Sequence, residues 1–233
     1  MPAPLLPIET AGDLPARADC IVIGGGIVGV STAYWLARAG QSVVLLEKGR
    51  IGAEQSSRNW GWCRQQNRDA RELPLSTRSL DLWDQMTTDL GPGIGFRRCG
   101  LLYLTDDPAE LEGWAAWGRF ARQEGVDTRM LSGPEAAQRG RATGKSWLGG
   151  VWSPTDGIAD PASAAPLIAQ GIVKHGGHVI QSCAARGLEL EAGRVAGVAT
   201  ASTRSGACAA SMSAWSSRTR RRRSIRSSPS AGN

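Results

Sequence analysis

Near its N-terminus the chain runs Asp19-Cys20-Ile21-Val22-Ile23-Gly24-Gly25-Gly26-Ile27-Val28-Gly29, a short apolar segment that breaks into glycines. An uninterrupted apolar run of this length, closed by turn residues, predicts a buried parallel strand. A helix is predicted from Ile27 to Ala39, because Ile27, Val30, Ala33, Tyr34 and Ala37 fall on one stripe. Gly40 is placed to stop it. Gln41 to Glu47 (QSVVLLE) reads as a second strand, so the segment is a βαβ unit. Inside it, Gly24-x-Gly26-x-x-Gly29 joins strand to helix, and Glu47 ends the next strand. In that setting Gly24 permits a tight turn, Gly26 lets backbone approach a pyrophosphate, and Gly29 lets the helix pack closely on the sheet. The helix N-terminus offers unpaired N–H groups to the diphosphate, and the carboxylate of Glu47 suits ribose hydroxyls. These residues point to dinucleotide binding without choosing between NAD and FAD.

Composition narrows the classes. The chain has 233 residues, 41% of them hydrophobic and 21% charged, enough for one or two domains with a buried core. The net charge is +6, yet seven arginines lie between Arg204 and Arg226 and no acid follows Glu191; without those arginines the charge is −1. The body of the chain is therefore not basic; its tail is. Five widely spaced cysteines (Cys20, Cys63, Cys99, Cys183, Cys208) include no C-x-x-C pair, and neither His175 nor His178 has a cysteine at metal-ligand spacing. Reduced thiols in a cytoplasmic protein are the expectation. The first residues lack a signal-peptide core, and the uncharged run Cys20 to Ala37 reads as strand, turn and helix rather than a membrane span.

Beyond the βαβ unit, residues 48–69 show no period and are rich in Gly, Ser, Arg, Gln and Trp, as a functional loop would be. Leu73, Leu80, Trp83, Met86 and Leu90 mark an amphipathic helix, and Phe96 to Thr105 a strand. Asp107-Pro108-Ala109-Glu110 opens a helix ending near Gly125. Strands are predicted over 126–131 and 147–152, a helix from Asp160-Pro161 to Gly176-Gly177, a strand over 178–181, and a hairpin over 187–200 turning at Ala192-Gly193.

LEKGRIGAEQSSRNWGW, from Leu46 to Trp62, resembles the FAD-dependent D-amino-acid oxidase and dehydrogenase superfamily, which includes glycine and sarcosine oxidases. The likeness continues through Arg64-Gln65-Gln66, Gly95-Phe96-Arg97-Arg98-x-Gly100, Ser153-Pro154-Thr155-Asp156-Gly157 and Asp160-Pro161, covering about residues 17 to 199. An NAD-dependent dehydrogenase has no need of the SSRNWGW loop. The resemblance implies an α/β fold: a Rossmann-like FAD-binding domain with an inserted α+β substrate domain, its C-terminal part missing. The expected division is an N-terminal extension (1–16), the first FAD-binding segment (17–79), a partial substrate domain (80–155), a return FAD-binding segment (156–199) and a basic tail (200–233). The implied cofactor is FAD and the implied chemistry is C–N oxidation of a D-amino acid or secondary amine by hydride transfer to flavin N5. The partner is a small amine or amino acid, with oxygen or a quinone as alternative electron acceptors.

Carried over by position, Gly24, Gly26, Ile27, Val28 and Gly29 meet the diphosphate and Glu47 the ribose. Lys48 and Ala185 lie beside the adenosine half, and Ser56, Ser57 and Arg58 along the pyrophosphate. Asn59, Gly61 and Trp62 approach the flavin ring. Arg64 and Gln66 are the candidates for the flavin's edge or the substrate carboxylate. The plainer readings are a solvated Arg64, Trp60 and Trp62 anchoring the loop, Trp114 and Trp117 as packing residues, and His175 and His178 at a helix C-terminus. Cys63 lies near the flavin by position; a buried thiol is its default and a covalent link the alternative.

After Thr200 the family continues with a strand and a Gly-Gly-x-Trp-like turn, whereas this chain has ten serines, seven arginines and no acid in its last 33 residues. One expectation is an out-of-frame stretch replacing the native C-terminal half, with loss of activity. Its rival is a real basic tail that attracts nucleic acid or an anionic membrane surface, and the alternative for function is a non-catalytic flavin-binding fragment whose tail binds polyanions weakly.

Overall fold

The computed structural model describes residues 4–9, 14–142 and 144–202. In chain order the elements are β1 (Cys20–Ile23), α1 (Ile27–Arg38), β2 (Val43–Leu46), β3 (Trp62–Cys63), α2 (Leu73–Leu90), β4 (Leu101–Thr105), α3 (Pro108–Gln123), β5 (Arg129–Ser132), α4 (Gly133–Gly140), β6 (Gly149–Ser153), β7 (Gly157–Ile158), α5 (Ala164–Lys174), β8 (His178–Ile180), β9 (Cys183–Glu191) and β10 (Arg194–Ser202).

The first sheet has the order β1-β2-β8, all parallel, with Cys20 opposite Val43 and Val44 opposite His178. β2 is central and each of its residues is buried, which explains its unbroken apolar sequence. One face carries α1, α2 and α5: Val30 and Tyr34, Leu80, Trp83 and Met86, and Ile168 and Ile172 share one core with Val43, Leu45 and Val179. The other face carries the β9–β10 hairpin, where Cys183 and Val198 pack on Val44, Leu46 and Ile180. This is the Rossmann-like α/β arrangement expected from the βαβ unit. β1 equally reads as an interior strand, yet among the described residues it pairs with β2 alone, and Ile23 is 55% exposed.

The second sheet is antiparallel, in the order β4-β6-β5. It is enclosed by α3, whose Leu111 lies against Gly149, and by α4, whose Ala136 lies against Gly150. Local chemistry sets the helix ends. The Asp107 carboxylate accepts from the Ala109 N–H at 2.8 Å, and Ser132 with Glu135 forms a capping box.

Several boundaries differ from the sequence expectation. α5 begins at Ala164 rather than Asp160, because residues 160–163 form a turn held by the Asp160 carboxylate on the Ala162 N–H and the Ser163 hydroxyl. α4 has no counterpart in the sequence expectation, since eight residues of low hydrophobicity make barely two turns. The expected domain boundary at 79–80 falls inside α2, whose Leu80, Trp83 and Met86 belong to the core of the parallel sheet. The expectations for 203–233 lie outside the described residues.

Candidate active site: a glycine turn opening into an apolar cavity

The glycine turn is built so that only glycine fits. Gly24 has φ +105°, and its N–H donates to the Leu46 carbonyl at 2.8 Å. A Cβ on Gly29 would stand 1.9 Å from the Gly24 carbonyl oxygen, so α1 meets the turn in direct backbone contact. Gly26 caps the helix with extended backbone and no side-chain cap, and no acid lies in the first turn. The N–H groups of Ile27, Val28 and Gly29 are three of the four that such a start leaves without an intrahelical acceptor. The Ser56 hydroxyl accepts from that of Ile27 at 2.8 Å, and among the described residues the N–H groups of Val28 and Gly29 have no acceptor. Two unpaired donors and the positive end of a helix dipole are the features of a diphosphate site.

Glu47 is clamped beside this turn. One carboxylate oxygen accepts from the Gly25 N–H at 2.7 Å and the other from the Gly49 N–H at 2.6 Å. Each oxygen keeps a lone pair for another donor. The strand end is held by the Ile180 carbonyl, which accepts from the Glu47 N–H, and by the Cys183 N–H, which donates to the Glu47 carbonyl. Lys48 is exposed beside it, and Ala185 lies two residues along β9, opposite Thr200.

The long loop is ordered. Gln55–Ser57 form a 3-10 turn. Ser57 donates to the Glu54 carbonyl at 3.3 Å, and Arg58 pairs with Glu54 at 3.6 Å on the surface. Asn59 folds back, its amide donating to the Ser56 carbonyl and its oxygen accepting from the Gly61 N–H at 2.7 Å. Gly61, at φ +74°, lies so near Ala159 that a Cβ would be 2.1 Å from the Ala159 carbonyl oxygen. Trp62 and Cys63 then pair with Ile158 and Gly157.

A cavity of about 530 Å³ starts at this loop and runs along α2. Ile27, Ser56, Asn59, Gly61, Trp62, Cys63 and Arg64 line it, as do the apolar Leu75, Leu80 and Trp83 and the charged Arg68 and Glu72 of the segment that leads into and forms α2. The volume falls in the range of small-molecule and cofactor sites. Ile27 and Ser56 belong to both the diphosphate turn and the cavity, so the two are continuous. Burial pushes the Cys63 thiol up to about 12, so it stays protonated and is a poor nucleophile for a covalent flavin link.

The structure separates the two catalytic candidates. Arg64 lines the cavity, and its guanidinium donates to the Gln66 carbonyl. Gln66 is fully buried, its side-chain oxygen accepting from Thr128 at 2.9 Å and Ser153 at 2.6 Å, so it does not face the cavity. The residue that sequence reasoning missed is Asp156. It is fully buried, and its two oxygens accept from the N–H groups of Gln65 at 2.7 Å and Gln66 at 3.2 Å. Burial raises its pKa, while those N–H groups and the charges of Arg64 and Arg98 oppose the rise. The SPTDG motif was the available signal.

The remaining singled-out residues are structural. His175 and Tyr34 both meet one Asp89 oxygen, at 2.6 and 2.7 Å, and His178 begins β8. The Trp117 indole donates to the Arg68 carbonyl at 2.9 Å, and Trp60 is 82% exposed rather than anchored. Among the described residues no helix is long and apolar enough to cross a membrane, and no group of three or more His, Cys, Asp or Glu could hold a metal.

Comparison with known proteins agrees with this geometry. Sarcosine oxidase subunit beta of Rhizobium meliloti (strain 1021) is 28% identical over 197 residues, 78% of this chain and 45% of the relative. The mitochondrial pyruvate dehydrogenase phosphatase regulatory subunit of Mus musculus is 25% identical over 189 residues, 80% of this chain and 22% of the relative. The solved L-amino acid deaminase of Proteus myxofaciens, in complex with anthranilate, superposes with a TM-score of 0.79 and 29% identity, over 84% of this chain and 45% of that one. The chain thus spans less than half the length of each. The profile of the family described as "FAD dependent oxidoreductase" matches residues 19–229, nearly the whole chain, and the chain belongs to that family.

Proposed function

We propose that the chain binds FAD across the glycine turn and cavity and serves the oxidation of the C–N bond of a D-amino acid or secondary amine. The observation that carries this reading is the continuity of the diphosphate-type helix start with an apolar cavity that Arg64 lines. Bound FAD would supply a two-electron acceptor. The N–H groups of Val28 and Gly29 face the diphosphate, behind Gly24, Gly26 and Ile27. Glu47 receives ribose hydroxyls, Lys48 and Ala185 flank the adenosine half, and Ser56, Ser57 and Arg58 follow the pyrophosphate. Asn59, Gly61 and Trp62 border the ring. Arg64 holds the substrate carboxylate, a charge-assisted contact that orients the amine carbon. Gln66 braces the loop that carries Arg64 and acts as a positioning residue. The sheet of β4, β5 and β6 forms the substrate side.

The test is anaerobic mixing of the FAD-loaded chain with sarcosine, glycine and D-alanine in turn. Bleaching of the yellow chromophore by one of them supports the reading; a chain that takes up no FAD overturns it. A second reading, a flavin-binding chain without catalysis, draws on the relative named as a regulatory subunit and on the edge of β1 that pairs with no strand among the described residues. It predicts a yellow protein that none of the three amines bleaches.

A further inference from the structure

We propose that Asp89 is a positioning residue for the cofactor cavity, tying together the C-terminal parts of three helices whose N-terminal parts line it. The proton on His175 tightens this tie, so FAD binds more strongly in mild acid. This rests on the dinucleotide reading above. α1 lines the cavity with Ile27, α2 with Leu75, Leu80 and Trp83, and α5 with Ala164. The same helices meet again further along. Asp89, next to last in α2, accepts from the Tyr34 hydroxyl of α1 at 2.7 Å. The same oxygen lies 2.6 Å from Nε2 of His175, the residue that closes α5. Its other oxygen and its backbone carbonyl accept from Lys174 Nζ at 2.8 and 2.6 Å. Packing draws the helices together at the same level: a Cβ on Gly171 of α5 would stand 2.8 Å from Leu90 of α2 and 3.0 Å from the Tyr34 ring.

One continuous core connects this tie to the cavity. Val30 and Tyr34, Leu80, Trp83 and Met86, and Ile168 and Ile172 form a single buried cluster, and Leu80 and Trp83 also line the cavity. A close-packed core transmits displacement instead of absorbing it, so helix spacing at Asp89 reaches the cavity walls. The partners of Asp89, Lys174 foremost, hold its carboxyl well below the usual carboxylate range, while burial, aided by Asp89, pushes the Tyr34 phenol up to about 12. His175 therefore faces a carboxylate from α2 and a neutral phenol from α1, whose ring it meets edge-on at 5.6 Å. Lys174 is its neighbour in the chain, and Arg38 of α1 stands beside the phenol. Histidine is the side chain that ordinarily exchanges its proton between about pH 5 and 8. An imidazolium makes the contact with Asp89 a charge-assisted one. Lys174 and Arg38 oppose that added charge, but the Asp89 oxygen, at 2.6 Å, outweighs them. FAD and this proton favour the same arrangement of the three helices, so each strengthens the binding of the other.

The experiment titrates the full chain with FAD between about pH 5.5 and 8.5, reading the dissociation constant from flavin fluorescence. Asp89→Asn should weaken binding about threefold to thirtyfold at neutral pH. Lys174→Met, which keeps the aliphatic stem, should weaken it in the same direction and stands in if the first variant does not fold. The wild-type dissociation constant should fall at least about threefold from the alkaline to the acid end. His175→Gln, which keeps a donor for Asp89, should flatten that slope. Ser132→Ala removes the capping box of α4, away from the three helices, and should lower the urea midpoint with FAD affinity unchanged. Unchanged FAD affinity in Asp89→Asn and Lys174→Met overturns the positioning role, as does an equal loss in Ser132→Ala. A pH slope that survives His175→Gln overturns the part given to the proton. Wild type that binds FAD no better than these variants sinks this inference alone; wild type that takes up no FAD sinks the dinucleotide reading as well.

Discussion

Replacing Asp156 tests whether one buried carboxylate holds the loop of Arg64 and Gln66 in place. Both of its oxygens are occupied by backbone N–H groups that have no other acceptor among the described residues. Asp156→Ala leaves two buried donors unsatisfied, each at a cost of about 1–3 kcal/mol. Removing a carboxylate whose charged form is disfavoured by burial returns part of that. The net loss should be about 2–4 kcal/mol. Asp156→Asn keeps one acceptor and turns an NH₂ group on the other N–H, so it should lose about 1–3 kcal/mol. Urea unfolding followed by circular dichroism measures both, provided the slope is unchanged. The pH dependence has a definite sign. The folded pKa is raised above the unfolded one, so this contribution is fully present below the unfolded carboxylate pKa and is lost as pH rises through the raised value. The gap between wild type and Asp156→Asn should therefore widen as pH falls. A loss under about 1 kcal/mol for Asp156→Ala would refute the bracing role, and a gap that narrows in acid would refute the raised pKa instead.

Other perturbations test other parts of the structure. Gly29→Ala puts a methyl 1.9 Å from the Gly24 carbonyl oxygen, so α1 must shift and FAD affinity, read by titration, should fall at least about a hundredfold. Asp89 joins three helices through Lys174 at 2.8 Å, His175 at 2.6 Å and Tyr34 at 2.7 Å, and these partners, Lys174 foremost, hold its pKa well below the carboxylate range. Its stabilisation is present above the unfolded pKa and lost as pH falls through the depressed folded value; Asp89→Asn should cost about 1–3 kcal/mol by urea unfolding at neutral pH, a difference that shrinks in strong acid. Alkylation by iodoacetamide at neutral pH, read by peptide mass spectrometry, should reach exposed Cys99 well before Cys63, whose thiol sits near 12.

Residues close in sequence made much of this protein legible from its sequence alone. The turn Gly24 to Gly29, the strands on either side of it and the stripe Val30, Ala33, Tyr34 and Ala37 are local features, because one βαβ unit carries its own periodicity and its own glycines. The hairpin at Ala192-Gly193 is local for the same reason, with both residues at positive φ. Features that depend on distant partners were not legible. The short pair β3–β7 exists because Gly61 can approach Ala159, 98 positions away, more closely than any side chain allows. Gln66 looks like a polar loop residue until β6 and Thr128 close over it. Asp156 has no local sign of its role, since its donors lie 91 and 90 residues earlier. Trp62 and Tyr103 become neighbours only when the dinucleotide loop docks on the antiparallel sheet. Local backbone preference and hydrophobic period are written along the chain, while the partner of a buried polar or aromatic group is set by packing between elements, and tertiary structure alone decides it.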